Sequence, residues 1–419
     1  MVDNVIADII LRVESPIIVK QKRGKGAFYK TLPHVPASSV IGAIGRRVII
    51  EKARAALGKC AGISDVNNFP DCDTCDEKTC DYRRIVKENA VKINDFYVIS
   101  GDLPGRSSGL EVPPVPRLST LFTRRDASNH YVDFLLHMFL QEKMQRLHDP
   151  TAELSRTVIA RFKELSRKKP ITEYKRTKAT CAVKGASIET FMPLYDHFAH
   201  CAIDYKLGST KESMLYFSQG LRAGTVLRSF AIGPDDLVDR LAGPCAVGMG
   251  KSRGFGRVSI SVAGKKQIEQ YVRDRSKQIK EGFDAIMRGL RLNDGIYYGT
   301  FTGLSPLPIP DDDLIELERD AGSAIKNLAS ARLGIPREEI VTCKGTIGHG
   351  VRFDGQSTSL VSEPVLQAGY CGVLALENVD DNACLTLARK EVEIPGNAGW
   401  YGFVYVNHPV HASTLTDEG

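Results

Sequence analysis

The sequence lacks the marks of a membrane-spanning or exported protein. No apolar run reaches the roughly 18 residues that a membrane span needs,. The chain starts Met1-Val2-Asp3-Asn4, without the basic stretch and apolar core of a secretory leader,. We therefore expect a cytoplasmic location. Thiols stay reduced there, so the 10 cysteines are not expected to form disulfides,.

The sequence also lacks the common catalytic and nucleotide-binding signatures. Gly250-Lys251-Ser252 ends like a P-loop, but Cys245 stands where that motif needs a glycine,. A strand pattern follows Ser252, so no helix N-terminus is aimed at a phosphate. No Ser-His-Asp set, paired-carboxylate pattern or dinucleotide fingerprint is present,. Cys245 and the strand pattern after Ser252 thus argue against a nucleotide-binding P-loop, and the other absences leave no common catalytic signature.

Aromatic residues make up only 7% of the chain, and they are missing where one RNA-binding signature needs them. Arg253-Gly254-Phe255-Gly256 and Val258 fit the RNA-recognition strand motif,. Arg257 and Ile260 stand in place of two aromatics that would stack bases,. A base-stacking strand is therefore not expected here.

What the chain does have is a glycine-rich basic loop from Gly248 to Val258. Glycine lets an outside backbone approach closely, and flanking cations suit a polyanion. The loop is interpreted either as a clamp for an RNA backbone or as a β-turn with solvated cations. As a clamp, its candidate RNA-binding residues are Gly248, Gly250, Lys251, Ser252, Arg253, Gly254, Phe255, Gly256 and Arg257.

Two further basic segments are candidates for RNA contact. The first is the glycine-rich stretch from residue 20 to 26, which carries Lys20, Lys22 and Arg23. The second is a helix predicted from about residue 40 to 57, with Ser38 at its start as a candidate cap and Arg46 in its first turns,.

Positive charge is concentrated between residues 161 and 178. Eight cations and two carboxylates give this stretch a net charge of +6, equal to that of the whole chain. Pro170 interrupts any helix there,. The stretch is either a solvated linker or an arm that neutralises nucleic-acid phosphates.

Four cysteines are spaced as metal ligands, in the pattern Cys60-x11-Cys72-x2-Cys75-x4-Cys80. A Cys-x2-Cys step lets two thiolates bind one tetrahedral ion from a tight turn. We expect one structural Zn²⁺ held by all four sulfurs, although an iron–sulfur cluster could use the same ligands. A closed thiolate shell leaves no position for a catalytic water.

With 419 residues, the chain is long enough for two domains,. Strand and helix patterns alternate irregularly, which favours an α+β fold of ferredoxin-like units over a doubly wound sheet. We predict a first domain over residues 1–264, with a zinc-binding insertion at about 58–90 and a basic insertion at about 150–180. The second domain would cover residues 265–419.

Several of these segments, in this order, resemble the RAMP superfamily of CRISPR proteins. The stretch from Pro36 to Ala43 resembles the family's strand-to-helix entry, with Ala37 in place of the usual glycine. Gly248 to Val258 resembles its glycine-rich signature. The middle of the chain, from His200-x3-Asp204 to Leu227, resembles the large subunit of subtype III-D effectors, the Csx-ten subfamily.

That resemblance implies two ferredoxin-like, RRM-type domains and a role as the group-5-type subunit. Such a subunit caps the 5′ handle of the CRISPR RNA. It contacts the large polymerase-like subunit and the first group-7 backbone subunit, and reaches target RNA only indirectly. Nuclease and polymerase chemistry belong to those neighbours, so this chain is expected to be a non-catalytic part of an antiviral ribonucleoprotein.

A second hypothesis is a metal-independent endonuclease that processes repeat RNA. Some RAMP endonucleases place a histidine near the first helix, and His34 occupies that position here. Such a general base would need an RNA 2′-hydroxyl within hydrogen-bond reach. A third hypothesis is a zinc-stapled scaffold that contacts only protein.

Overall fold

The structure is a computed structural model that describes residues 4–19, 28–55, 80–99, 112–124, 131–168, 174–177, 179–184, 187–204, 209–310, 313–314, 320–354, 359–394 and 402–413. Within these ranges the chain is a mixed α+β protein whose sheets are built mainly from antiparallel pairs. The α+β class predicted from the sequence pattern is confirmed at this level.

Along the chain the helices are α1 Ala37–Arg54, α2 Leu135–Gln145, α3 Glu153–Lys168, α4 Asp235–Asp239, α5 Ile268–Leu290, α6 Ala321–Leu333, α7 Asp381–Val392 and α8 Pro409–Ala412. The strands are β1 Asn4–Val13, β2 Phe28–Tyr29, β3 His34–Val35, β4 Lys92–Ile93, β5 Phe96–Ile99, β6 Leu121–Arg124, β7 Tyr131–Asp133, β8 Tyr174–Arg176, β9 Thr180–Lys184, β10 Ser187–Phe191, β11 Tyr195–Asp204, β12 Ser209–Leu221, β13 Val226–Pro234, β14 Gly243–Ala246, β15 Arg257–Gln267, β16 Tyr297–Gly303, β17 Leu307–Pro308, β18 Ile340–Lys344, β19 Ile347–Asp354, β20 Ser359–Leu366, β21 Cys371–Leu376 and β22 Val404–Val406.

The chain divides into two compact units. Unit 1 comprises Met1–Pro113 and Phe191–Lys266, and unit 2 comprises Pro114–Thr190 and Gln267–Gly419. The later division therefore falls between Lys266 and Gln267, whereas the sequence had placed the domain boundary after residue 264. Residues 114–190, which the sequence had placed inside the first domain, belong to unit 2.

Hydrophobic packing explains why this middle segment belongs to unit 2. One cluster joins α2 and α3 to α5 and to one face of the sheet that contains β16 and β21; its fully buried members include Leu135, Phe139, Val158, Leu290 and Val373. Apolar surface removed from water stabilises by about 25 cal/mol per Å². Sequence position alone does not reveal such a long-range partner.

Unit 1 is built on one sheet with strand order β14-β15-β1-β13-β5-β3, and β4 also pairs with β13. Its main elements follow one another as β1, α1, β5, β13, α4 and β15. In the sheet, these four strands lie in the order fourth, first, third, second. Every residue of β13 is buried, as expected for a strand covered on both faces,.

Unit 2 repeats the same order of elements as β16, α6, β18, β21, α7 and β22. Its sheet has the strand order β18-β21-β16-β22, in which the main strands lie as second, third, first, fourth. Counted from the other edge, this is the same order as in unit 1. Each unit also carries a β-hairpin between its second and third main strands. The hairpins are β11–β12 in unit 1 and β19–β20 in unit 2.

The structure changes the interpretation of the basic stretch from residue 161 to 178. Its first half continues α3, whose residue Arg161 is 4% exposed and pairs with Glu164 at 2.6 Å. Tyr174–Arg176 then forms β8, paired with β6. The described part of this stretch is therefore folded into unit 2 rather than forming a free arm. Lys169, Pro170 and Lys178 lie outside the described residues.

Candidate nucleic-acid interface

The glycine-rich loop joins β14 to β15, which pair antiparallel from Gly243↔Ile260 to Ala246↔Arg257. A single 3₁₀ turn, Lys251–Arg253, forms its tip. Four glycines have positive φ, at +83° for Gly248, +73° for Gly250, +85° for Gly254 and +79° for Gly256. L-residues with a side chain rarely adopt this conformation, so the backbone of the loop requires its glycines.

The close approach that glycine permits is made by the chain itself. A Cβ on Gly248 would lie 2.5 Å from the Ile18 carbonyl oxygen, and one on Gly256 would lie 2.1 Å from that of Val247. The Met249 amide donates to the same Ile18 oxygen at 2.9 Å. These contacts anchor both ends of the loop. Only at Gly254 is the space open within 4 Å.

A groove of about 1120 Å³ runs between α1, β14 and this loop. Helix α1 lines the groove along one face, with Ala43, Arg46, Arg47, Ile50 and Arg54 at helical spacing,. The buried positions of α1 include Val40, Ile41, Ile44 and Ile49. The groove contains five cations and two carboxylates, which are Arg46, Arg47, Arg54, Arg240 and Lys251 with Glu51 and Asp239.

The cations of this groove repel one another across it. Burial, and then the charge of Arg46, lowers the pKa of Lys251. Cys245, on the groove wall, has its pKa raised to about 11 by burial, while Arg47 and Lys251 act in the opposite direction. Like charges brought together from a helix and a loop form a site that an anion would stabilise.

Arg47 adds an unused donor to the groove. Its Nε lies 3.7 Å from Glu51 Oε1, and its Nη2 donates to the Arg240 carbonyl oxygen. Its Nη1 is buried and has no hydrogen-bond partner within the described part of the chain. A buried, unpaired guanidinium nitrogen costs free energy unless an acceptor enters the groove.

The structure brings some of the predicted RNA-binding residues together and separates others. Five of them line the groove, namely Arg46, Gly248, Gly250, Lys251 and Ser252. Those that do not line it are Ser38, Arg253, Gly254, Phe255, Gly256 and Arg257. Lys20, Lys22 and Arg23 lie outside the described residues. The groove adds Arg47, Arg54 and Arg240. Arg54 could have been found from its helical spacing, because it follows Arg46 by two steps of four residues.

Arg253 and Phe255 contact an aromatic cluster on the β11–β12 hairpin instead. We call Tyr29, Phe198, His200, Tyr216 and Phe255 the hairpin cluster. The rings of His200 and Tyr216 stack at 4.8 Å with 16° between their planes, and Phe198 meets Phe255 edge-on at 4.8 Å. Arg253 Nη1 donates to the Tyr216 hydroxyl at 3.0 Å. Aromatics therefore do lie beside the loop, but they come from another hairpin.

His34, the candidate general base, lies on the edge strand β3 and is not among the residues that line the groove. Its Nε2 is 3.8 Å from Asp95 Oδ2, and its ring packs against Tyr97 at 5.6 Å. Burial lowers the pKa of His34 to about 4 and raises that of Asp95 to about 7. A base with so low a pKa suits proton abstraction poorly at neutral pH.

Asp95 explains how α1 begins without the predicted serine cap. The N-cap residue is Pro36, and no side chain of its own caps the helix. Instead, the Ala37 amide donates to Asp95 Oδ1 at 2.9 Å. Asp95 therefore has a structural role at the start of α1.

We expect Asp95→Asn to stabilise the protein at pH 8 relative to pH 4. Asn keeps an oxygen for the Ala37 amide but cannot ionise. In the wild type, the folded-state pKa of about 7 exceeds the unfolded value of 3.8, so stability falls as pH rises through this interval,. The unfolding free energy of the variant minus that of the wild type should be roughly 2–4 kcal/mol larger at pH 8 than at pH 4. Urea unfolding at both pH values measures this. An equal difference at both would contradict the assignment.

The predicted zinc site falls almost entirely outside the described residues. Cys60, Cys72 and Cys75 lie there, and only Cys80 is described. Cys80 is a buried free thiol three residues before a short π-helix at Arg83–Lys87, and its carbonyl oxygen accepts from the Arg84 amide. No group of three or more potential metal-binding side chains occurs among the described residues. The four-cysteine site stays a prediction.

Among the described helices, none combines the length and the apolar character that crossing a membrane requires.

When the chain is compared with known proteins, similar chains are found among solved structures. No family model matches the chain. No curated protein matches it either. A chain of the type III-B Cmr-beta complex bound to cognate target RNA and AMPPnP is similar over 87% of this chain and 86% of that chain, with 11% identity and a TM-score of 0.43. The same complex bound to cognate target RNA gives 12% identity, the same coverage and a TM-score of 0.43.

A chain of the Csm3–Csm4 subcomplex of the type III-A CRISPR–Cas interference complex is similar over 87% of this chain and 92% of that chain. Its identity is 10% and its TM-score is 0.29. With TM-scores below 0.5, these are distant likenesses, so any proposal about function must rest on the residues of this chain.

Proposed function

We propose that this chain is a non-catalytic RNA-binding subunit of a type III, III-D-like, CRISPR effector ribonucleoprotein, with Arg46 and Lys251 holding the RNA backbone. The observation that carries the proposal is the groove itself. Cations from α1 and from the glycine-rich loop converge there, burial and then the charge of Arg46 lower the pKa of Lys251, and one Arg47 nitrogen has no acceptor among the described residues. A polyanion with spaced charges would satisfy all three.

The order of elements supports the RAMP assignment that the sequence motifs suggest. Each unit follows the β-α-β-β-α-β sequence with strand order fourth, first, third, second. That sequence of elements is the one expected of a ferredoxin-like unit. The glycine-rich loop precedes the fourth strand of unit 1, and the motif from Pro36 to Ala43 starts its first helix. Two ferredoxin-like domains are thus part of the proposal.

Within such a complex, the proposed role is to cap the 5′ handle of the CRISPR RNA. The chain would contact the large polymerase-like subunit and the first group-7 backbone subunit, in the cytoplasm. The four cysteines Cys60, Cys72, Cys75 and Cys80 would hold one Zn²⁺ that orders the segment around them. Four thiolates fit a structural ion and would supply no catalytic water.

The test is binding of the purified chain to CRISPR RNA from the repeat array of its own genome. We expect the RNA with an intact 5′ handle to bind more tightly than the same RNA with a scrambled handle. The affinity should fall steeply between about 0.05 and 0.2 M salt, because bound phosphates release counterions. Equal affinity for both RNAs would overturn handle capping, and an affinity independent of salt would overturn phosphate binding.

The same preparation tests the endonuclease alternative. Repeat RNA incubated with the chain in chelator should stay intact under the proposed function. Cleavage that is lost in His34→Ala would instead make this chain a processing enzyme.

A further inference from the structure

Two unlike surfaces lie on either side of the tip of the glycine-rich loop. Lys251 lines the groove beside Arg46, whereas Arg253, two residues later, donates to Tyr216 in the hairpin cluster. The 3₁₀ turn from Lys251 to Arg253, bounded by Gly250 and Gly254, places the two cations on different sides. The loop thus connects a cationic groove with a set of aromatic rings.

The hairpin cluster is held by polar contacts at the edges of its rings. The Tyr216 hydroxyl accepts from Arg253, and His200 Nε2 forms a hydrogen bond of 2.6 Å with Ser218 Oγ. These contacts fix two parallel rings, and all five aromatic side chains remain half-buried rather than enclosed. Burial and the charge of Arg253 lower the pKa of His200, so its imidazole is neutral at pH 7 and presents a flat ring.

Rings fixed at their edges, with a guanidinium alongside, have the chemistry that stacks nucleobases. Aromatic side chains and arginine planes stack on unpaired bases, and this stacking tolerates any base because each has a π-face. A purely structural cluster would be explained by apolar burial, which is incomplete here. Arg257 and Ile260 of β15 supply no such rings, whereas Phe198 and His200 of β11 and Tyr216 of β12 do.

We propose that the hairpin cluster, centred on Tyr216 and His200 with Arg253 beside them, is a stacking site for an unpaired base of the RNA whose phosphates the groove binds. This inference rests on the proposed function and deepens it. It makes the ligand single-stranded at this point, because a base inside a duplex has no face free to stack. It also predicts little preference among the four bases.

The test compares oligouridylate with an abasic ribose-phosphate oligomer of the same length. Tyr216→Leu should weaken oligouridylate binding about tenfold, since stacking of one base contributes roughly 1–3 kcal/mol. It should leave the abasic oligomer and the salt dependence unchanged. Tyr216→Phe keeps the ring and should retain near wild-type affinity. Phe217→Leu is the matched control, because Phe217 is the next residue of β12 and lies on the opposite face of the strand,.

Photo-crosslinking of 4-thiouridine RNA to the wild-type chain provides a second measurement that needs no variant. Crosslinks at Tyr216, His200 or Phe255 would support the site. Equal wild-type affinity for oligouridylate and the abasic oligomer, or an equal loss for both in Tyr216→Leu, would overturn it while steep salt dependence still supported the groove. Loss of a partner subunit in Tyr216→Leu with RNA binding unchanged would make the cluster a protein contact and likewise overturn it.

Discussion

Replacing Arg46 and Lys251 together by alanine is expected to weaken single-stranded RNA binding by more than about 100-fold at about 0.15 M salt. Each cation can donate charge-assisted hydrogen bonds to a phosphate, and each such bond contributes roughly 1.5–3 kcal/mol. The slope of log affinity against log salt should fall in magnitude by about 1.4, since each contact to a single strand contributes about 0.7. Fluorescence anisotropy over a salt series measures both quantities.

Arg273→Ala with Lys277→Ala is the matched control for this pair. Both side chains are exposed on α5, one helical turn apart, and the substitutions remove the same charge from unit 2. The control should leave affinity near wild type, because the lost charge is not in the groove. If both double variants weaken binding equally, the protein's overall charge rather than the groove binds the RNA.

The single substitution Arg46→Ala should raise the pKa of Lys251, because it removes the charge that, after burial, lowers that pKa. In the wild type, burial and Arg46 lower the pKa of Lys251, so the two cations destabilise each other without a ligand. We therefore do not expect Arg46→Ala to reduce the free energy of unfolding. If Arg46 instead stabilised the fold through an ion pair, Arg46→Ala would reduce the free energy of unfolding, because removing one partner of an ion pair destabilises a fold.

The parts of the fold that local pattern determines were predictable. The helix predicted from about residue 40 to 57 is observed as α1 at Ala37–Arg54,. Glycine and charge spacing likewise located the loop and Arg46. Each of these signals lies within a single element, so no long-range partner is needed to read it.

The parts that depend on distant partners were not predictable. Asp95, 58 residues from Ala37, starts α1 in place of a serine cap. The ring partners of Phe255 come from β11, and the cations opposite Lys251 come from α1. Residues 114–190 join unit 2 because their apolar side chains complete its core. Tertiary contacts determine all of these, and sequence spacing does not encode them.

Gly256→Ala is expected to disrupt the loop, whereas Gly254→Ala is its matched control. Both glycines have positive φ, at +79° and +85°, so each alanine carries a backbone cost of about 1–2 kcal/mol,. Only the Cβ at residue 256 also overlaps a carbonyl oxygen, that of Val247 at 2.1 Å, while nothing lies within 4 Å at residue 254. In Gly256→Ala, the backbone at residue 256 must therefore move away from Val247. We expect this movement to shift Lys251 away from Arg46.

We expect Gly256→Ala to lose about 3 kcal/mol of unfolding free energy and at least about tenfold in RNA affinity. Gly254→Ala should lose about 1–2 kcal/mol and bind RNA nearly as well as wild type. Urea unfolding and anisotropy on the same preparations separate the two effects. Equal losses of affinity in both variants would mean that RNA needs the open space at Gly254, and that the glycines bind the backbone directly instead of positioning the cations.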